Sequence, residues 1–197
     1  MSEHALALER RAVHETSNAV LGMLLFVISE AMFFMGFLAV YFTAYANAKV
    51  WPPSGISIPP MGLPTAAVVV LLGSVATMTM ANRAGRLHDQ RRVTVWTGAT
   101  LILAAGFAGL LGLSYRGLGF HASTDIYGSL FWVLAVVAIA HAIGGIVFFA
   151  LLLAQARAGE LQLRHDPLQA ASIYWNFVAV IGVSLYVIFY LANAGSK

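Results

Sequence analysis

The sequence predicts an all-α protein: an integral membrane bundle of five transmembrane helices, N-terminus cytoplasmic and C-terminus outside. Three observations lead there. Of the 197 residues, 60% are hydrophobic and only 10% are charged, whereas a soluble domain carries roughly a quarter charged residues. Such a chain has too little polar surface to cover itself, so much of its apolar surface must meet lipid or other helices. The apolar residues are also gathered into five long continuous runs, and the cationic residues fall between those runs, mostly in alternate loops.

The runs cover Asn18–Ala46, Leu63–Ala81, Val93–Ser114, Gly128–Ala154 and Ser172–Ala192. Each approaches or exceeds the ~20 residues a helix needs to cross ~30 Å of hydrocarbon. They are continuous instead of alternating, which favours helices over barrel strands. Together they make one membrane domain over residues 18–193, preceded by a tail over residues 1–17. That tail mixes Glu3, Glu9 and Glu15 with Arg10 and Arg11 and has no short apolar core with a small-residue cleavage pattern. It reads as a cytoplasmic tail and not as a signal peptide.

The connections differ in character. Residues 49–62 hold Pro52, Pro53, Pro59 and Pro60 and form a stiff, extended loop. Residues 82–92 are short and basic. Residues 115–127 contain glycine and are nearly neutral, and residues 157–171 include Asp166-Pro167, a suitable helix start. Arg10, Arg11, Arg83, Arg86, Arg91, Arg92, Arg157 and Arg164 fall on one side of the membrane, against Lys49, Arg116 and Lys197 on the other. Eight cations against three put the N-terminus in the cytoplasm by the positive-inside rule. Within the runs, Ala105/Gly109, Ala108/Gly112 and Ala140/Gly144 are four apart and share helix faces, which permits close helix packing.

Composition removes several functions. There is no cysteine, which excludes disulfides, thiolate metal sites and cysteine nucleophiles. The net charge of +3 comes from cations scattered among loops, so no nucleic-acid partner is expected. No phosphate-binding loop, dinucleotide turn or catalytic triad is present. Trp51, Trp96, Tyr115, Tyr127, Trp175 and Tyr190 sit near segment ends, which is accounted for by an interfacial aromatic belt.

Two ionisable side chains lie deep in the apolar runs: Glu30 in the first and His141 in the fourth. A charged carboxylate at mid-membrane costs at least ~2.5–3.5 kcal/mol. Glu30 must therefore be neutral, paired within the bundle, or turned to water or a lipid headgroup. A single intramembrane histidine cannot supply both ligands of a bis-histidine haem, and no His/Glu/Asp set has zinc or copper spacing. No catalytic residue and no redox centre are expected in the chain, and no metal ligands.

Four stretches, in order, are similar to motifs of subunit III of the haem–copper terminal oxidases, the cytochrome c and quinol oxidases. They are Ser29-Glu30-Ala31-Met32-Phe33-Phe34-Met35-Gly36-Phe37; Trp51-Pro52-Pro53-Ser54-Gly55-Ile56; Asp125-Ile126-Tyr127-Gly128-Ser129 leading to His141; and Tyr174-Trp175-Asn176-Phe177-Val178. The chain resembles the five-helix form, which lacks the family's first two helices. The resemblance implies a non-catalytic subunit that stabilises a proton-translocating oxidase and assists its proton uptake. Subunit I would be its main contact and subunit II a further partner, with haem and copper held there, and the membrane would be a bacterial plasma membrane. It also implies bound phospholipid in a cleft beside Glu30, or two helices of another chain filling that space. Asn176 and Ala179 stand where the family usually has His and Asp, and Ala138 stands where many members carry another histidine, so a thinner polar network around Glu30 is expected. Related readings are a quinol oxidase subunit and the membrane partner of a nitric oxide reductase. A reading of another class is an independent proton or solute transporter using Glu30 and His141, although no internal repeat or broken helix supports alternating access.

The charge asymmetry is testable because the chain has no native thiol. A cysteine introduced at Ser196 should react with a membrane-impermeant thiol reagent in intact cells, and one at Asp89 should not. The reverse pattern would overturn the orientation.

Overall fold

The computed structural model describes residues 18–53, 56, 60–116, 118–159, 161 and 166–192. Five long helices run through them: α1 (Asn18–Asn47), α2 (Gly62–Arg86), α3 (Gln90–Ser114), α4 (Ile126–Arg157) and α5 (Asp166–Tyr186). α5 continues as a π-helical turn, Val187–Leu191, closed by the bond from the Ala192 N–H to the Val187 carbonyl at 2.8 Å. All five are long and apolar enough to span a membrane, and the protein is an all-α, multi-pass membrane bundle.

The helices outrun the apolar segments that announced them. α2 continues to Arg86 instead of stopping at Ala81, and α5 begins at Asp166 instead of Ser172. Hydropathy marks where lipid begins, whereas a helix ends where its backbone bonds are capped. The α2–α3 junction shows such a cap in three residues. His88 takes a left-handed φ of 54°, the His88 N–H donates to the Gly85 carbonyl and the Asp89 N–H to the Ala84 carbonyl, both at 3.1 Å. This is a Schellman closure. Asp89 then starts the next helix, its Oδ1 accepting from the Arg92 N–H at 3.0 Å. So short a turn forces α2 and α3 into an antiparallel pair. Gln90 ties α3 to the far end of α4 by donating from Nε2 to the Ala156 carbonyl.

α2, α3, α4 and α5 pack in sequence, and α5 returns to α2, which closes a ring of four helices. α1 lies outside the ring in the groove between α4 and α5. It is held by one seam: Val20, Met23, Val27, Glu30, Phe34, Phe37, Tyr41 and Ala44 alternate in steps of three and four and face the ring, as in a coiled coil. Its opposite face is exposed and apolar, with Leu25, Ile28, Met32 and Met35 each more than half exposed.

Trp175 is the wedge at the centre of the ring. It is fully buried, its indole N–H donates to Ser74 Oγ on α2 at 2.7 Å, and its ring meets Phe149 edge-on at 4.9 Å. Gly145 makes room for it, since a Cβ there would overlap the indole. The tightest side-chain contact onto a helix is thus at Gly145. The small-residue pairs picked out by spacing are only partly used: a Cβ on Gly109 or Gly112 would meet nothing, and Ala105 and Gly109 are exposed on the outside of α3. Spacing shows that residues share a face but not which way the face points. The aromatic belt needs a similar correction. Trp175 and Tyr127 are fully buried, and Tyr190 and Trp51 are 6% and 9% exposed, so these four belong to the interior.

Gly145→Ala should destabilise the bundle by about 1–3 kcal/mol, the usual cost of overpacking. The measurement is unfolding of the purified chain in mixed micelles. Combining it with Trp175→Phe should recover part of the loss, and Gly109→Ala should leave stability unchanged.

Candidate functional site

The α1 seam aims Glu30 at the ring, where α4 presents His141 at its midpoint. Glu30 Oε2 and His141 Nε2 are 3.2 Å apart, with the two side chains 24% and 13% exposed. The other imidazole nitrogen, Nδ1, faces the Val137 carbonyl at 2.8 Å. A carbonyl can only accept, so Nδ1 carries a hydrogen and donates it. Nε2 is then left to share a single proton with the carboxyl group. That proton sits either on Glu30, as a neutral acid donating to a neutral ring, or on Nε2, as an imidazolium donating to a carboxylate. Both forms are neutral overall, which answers the cost of placing Glu30 at mid-membrane.

Aromatic rings sheathe the pair. Phe34 lies 5.5 Å from the imidazole and Phe177 6.2 Å, both inclined, while Tyr174 lies 6.4 Å away and nearly parallel at 17°. The Tyr174 hydroxyl donates to the His141 carbonyl at 2.7 Å. Gly144 leaves space for it, since a Cβ there would come within 3.0 Å of that oxygen. α5 therefore braces α4 at the residue that carries the imidazole. Nδ1 ends on a backbone carbonyl, and Glu30 is the more exposed member of the pair. Among the described residues no three His, Asp or Glu side chains come together as a metal ion would need.

The remaining residues singled out by sequence are spread over the bundle. Trp51, Pro52 and Pro53 lie in the loop after α1, where the Trp51 indole N–H donates to the Tyr41 hydroxyl at 3.1 Å. Its ring packs edge-on against Tyr41 and Tyr127 at 5.3 and 5.4 Å, so the loop is fastened across the ends of α1 and α4. Gly55 lies outside the described residues. Gly128 N–H donates to Asp125 Oδ1 at 2.7 Å, which caps α4. A Cβ on Gly128 would lie 2.5 Å from the His121 carbonyl oxygen, so the incoming loop requires glycine there. Asn176 is exposed and bonds only along its own helix, Nδ2 donating to the Ser172 carbonyl at 2.8 Å. It does not join the Glu30–His141 pair, and neither does a residue at Ala138 or Ala179.

Some participants were not singled out by sequence: Phe34 as a ring against the imidazole, and the Val137 carbonyl that orients it. Phe34 was within reach, because the three–four spacing of the α1 seam puts it one turn beyond Glu30 on the same face. The carbonyl carried no signal, being available at every residue.

Fold and site together define a multi-pass helical membrane protein with one acid–imidazole pair at mid-membrane. The family model of cytochrome c oxidase subunit III matches residues 5–194. The chain is 33% identical to cytochrome c oxidase subunit 3 of Marchantia polymorpha over 176 residues, 86% of this chain and 66% of the relative. It is 31% identical to that of Neurospora crassa over 197 residues, 96% of this chain and 71% of the relative. With that of Gadus morhua the identity is 34% over 176 residues, 86% and 67% respectively. This chain belongs to the cytochrome c oxidase subunit III family. It spans just under two thirds of the length of the Marchantia relative it matches.

Removing the carboxyl alone leaves His141 Nε2 buried without its partner, so Glu30→Ala should cost about 1–3 kcal/mol of stability. Glu30→Gln keeps a donor at that place and should cost less. In a double-mutant cycle, Glu30→Ala with His141→Phe should lose less than the sum of the single variants. Additive losses would show that the two groups do not interact.

Proposed function

We propose that the chain is the non-catalytic subunit III of a proton-translocating respiratory terminal oxidase, reducing oxygen with electrons from cytochrome c. In this reading it stabilises the catalytic subunit, binds phospholipid and supports proton uptake. Haem and copper belong to subunits I and II, with subunit I its main contact. The apolar outward face of α1 is the surface for lipid or for that neighbour. Its membrane is a bacterial plasma membrane, with the Arg86 end of the bundle in the cytoplasm, where the positive-inside rule puts the cation-rich loops.

The observation that carries the reading is the Glu30–His141 contact in a member of this family. A neutral pair sharing one proton places no net charge in hydrocarbon, and it stays neutral in proton transfer when each proton it takes up is matched by one it releases. An ionisable residue at mid-membrane is by default a candidate for a functional site. Aromatic rings shield the pair and α5 braces it, so its geometry is preorganised.

The test has two parts. Deleting the chain should leave an oxidase whose turnover falls away during sustained catalysis, recorded as oxygen consumption. Glu30→Gln should assemble into the complex normally and lose activity sooner than wild type over many turnovers. A hydrophobic carbodiimide, which attacks protonated carboxyls in lipid, should label the wild-type residue and spare the variant. Unaltered activity over the same turnovers would remove Glu30 from proton uptake, and failure of the variant to assemble would make its role structural.

A further inference from the structure

The ring of four helices is filled at one end of its axis and hollow toward the other. Around Trp175 the rings of Phe149 and Phe107 close the axis. Beyond Phe107, three of the four helices turn residues inward that are too small to meet: Ala67 on α2, Ala135 and Ala138 on α4, and Gly182 on α5. The helices cannot draw together to close the gap. They are propped apart where Trp175 sits on Gly145, and where Leu71 approaches Gly182 so closely that a Cβ would lie 2.8 Å from it. The result is an axial cavity with about 40 Å³ in which the centre of a water-sized body can sit. One water needs roughly 10–15 Å³ by that measure. A second, smaller pocket shares Phe107, Ala138 and Gly182 with it and is lined on its other side by His141.

Space alone does not admit water, which needs two to four polar partners when buried. The walls are methyl groups and ring faces, and polar atoms come only from Tyr115, Tyr186 and Tyr190 at one end. The Tyr186 hydroxyl already shares a hydrogen bond with Thr65 Oγ1 at 2.7 Å. The Tyr190 hydroxyl is buried without a partner among the described residues, and polar groups at one end alone leave the rest of the chamber without the two to four partners a buried water needs. Apolar cavities of this kind stay dry and take apolar guests. The surrounding bilayer supplies them, because nonpolar gases dissolve better in hydrocarbon than in water.

We propose that this axial cavity is a binding site for a small nonpolar molecule of the size of dioxygen or xenon, taken up from the lipid. The cavity is too small for an aromatic ring. Ala138 is its specificity-determining residue, since it lines both this cavity and the smaller pocket beside His141. The site stands apart from the function proposed above and does not depend on it.

The test uses the full chain in lipid nanodiscs with labelled alanine methyl groups, equilibrated first with xenon and then with dioxygen. Xenon should shift the Ala135 and Ala138 methyl resonances saturably with pressure. Paramagnetic dioxygen should broaden them beyond the level at Ala105, which faces outward. Ala138→Leu should abolish both effects at Ala135, and Ala105→Leu should abolish neither. Should Ala138→Leu fail to fold, Ala135→Val serves in its place, read at Ala138. Responses at Ala135 and Ala138 no larger than at Ala105, or magnetisation transfer from water to these methyls, would overturn the proposal.

Discussion

Hydrocarbon offers no hydrogen bonds, so each polar side chain within this bundle has to find its partner on the protein. The chain meets that constraint in two ways. Most Ser and Thr hydroxyls turn back onto their own helix, as Ser74 does to Leu71, Thr79 to Val75 and Ser184 to Val180. The others tie helices together: Thr77 to Thr100 between α2 and α3, Trp175 to Ser74 between α5 and α2, Tyr174 to the His141 carbonyl between α5 and α4, and Glu30 to His141 between α1 and α4. These links, together with Gln90 to the Ala156 carbonyl between α3 and α4 and Thr65 to Tyr186 between α2 and α5, hold the ring in register and attach α1 to it. Asn82 Oδ1, Thr97 Oγ1 and the hydroxyls of Tyr127 and Tyr190 are buried exceptions, without partners among the described residues.

The same constraint explains why the acid and the imidazole occur together. Either alone would leave an unanswered polar group near the bilayer centre. Their proton is shared across the seam between α1 and the ring, and α1 is the least enclosed helix, with one face on protein and the other exposed. A change in what covers α1 would thus act first on the Glu30 side of the contact. The His141 side is fixed twice, by the Val137 carbonyl on its ring and by Tyr174 on its backbone.

Packing in lipid gains little from the hydrophobic effect, since tails are as apolar as the core, and depends on close contact instead. That shifts the weight onto glycines that admit a specific neighbour. Gly145 admits an indole, Gly144 a phenol hydroxyl and Gly128 a loop carbonyl. Three of the four stretches that resemble the subunit III family therefore turn out to be largely architectural. The Trp51 loop fastens helix ends, the Asp125–Ser129 stretch caps α4, and Tyr174-Trp175 wedges the ring. Among the described residues of these stretches, only Glu30 and His141 carry a carboxyl or imidazole group into the interior.

Much of this was legible in the sequence by itself. Five helices follow from five apolar runs because the hydrocarbon thickness sets a length that composition alone can satisfy. The two mid-membrane ionisable residues follow from the same runs, because charge at that depth is rare and cannot be mistaken for a loop. The family follows from motifs in order along the chain. What only the tertiary structure decided is which faces meet. Four-residue spacing proposed Gly109 and Gly112 as contact points, and the close approaches came at Gly145 and Gly182. Position near segment ends proposed a surface belt for Trp175 and Tyr127, and both are interior. Glu30 and His141 lie more than a hundred residues apart, and nothing local pairs them. A helix can rotate about its axis without changing its hydropathy, and only contact with the other helices settles that rotation.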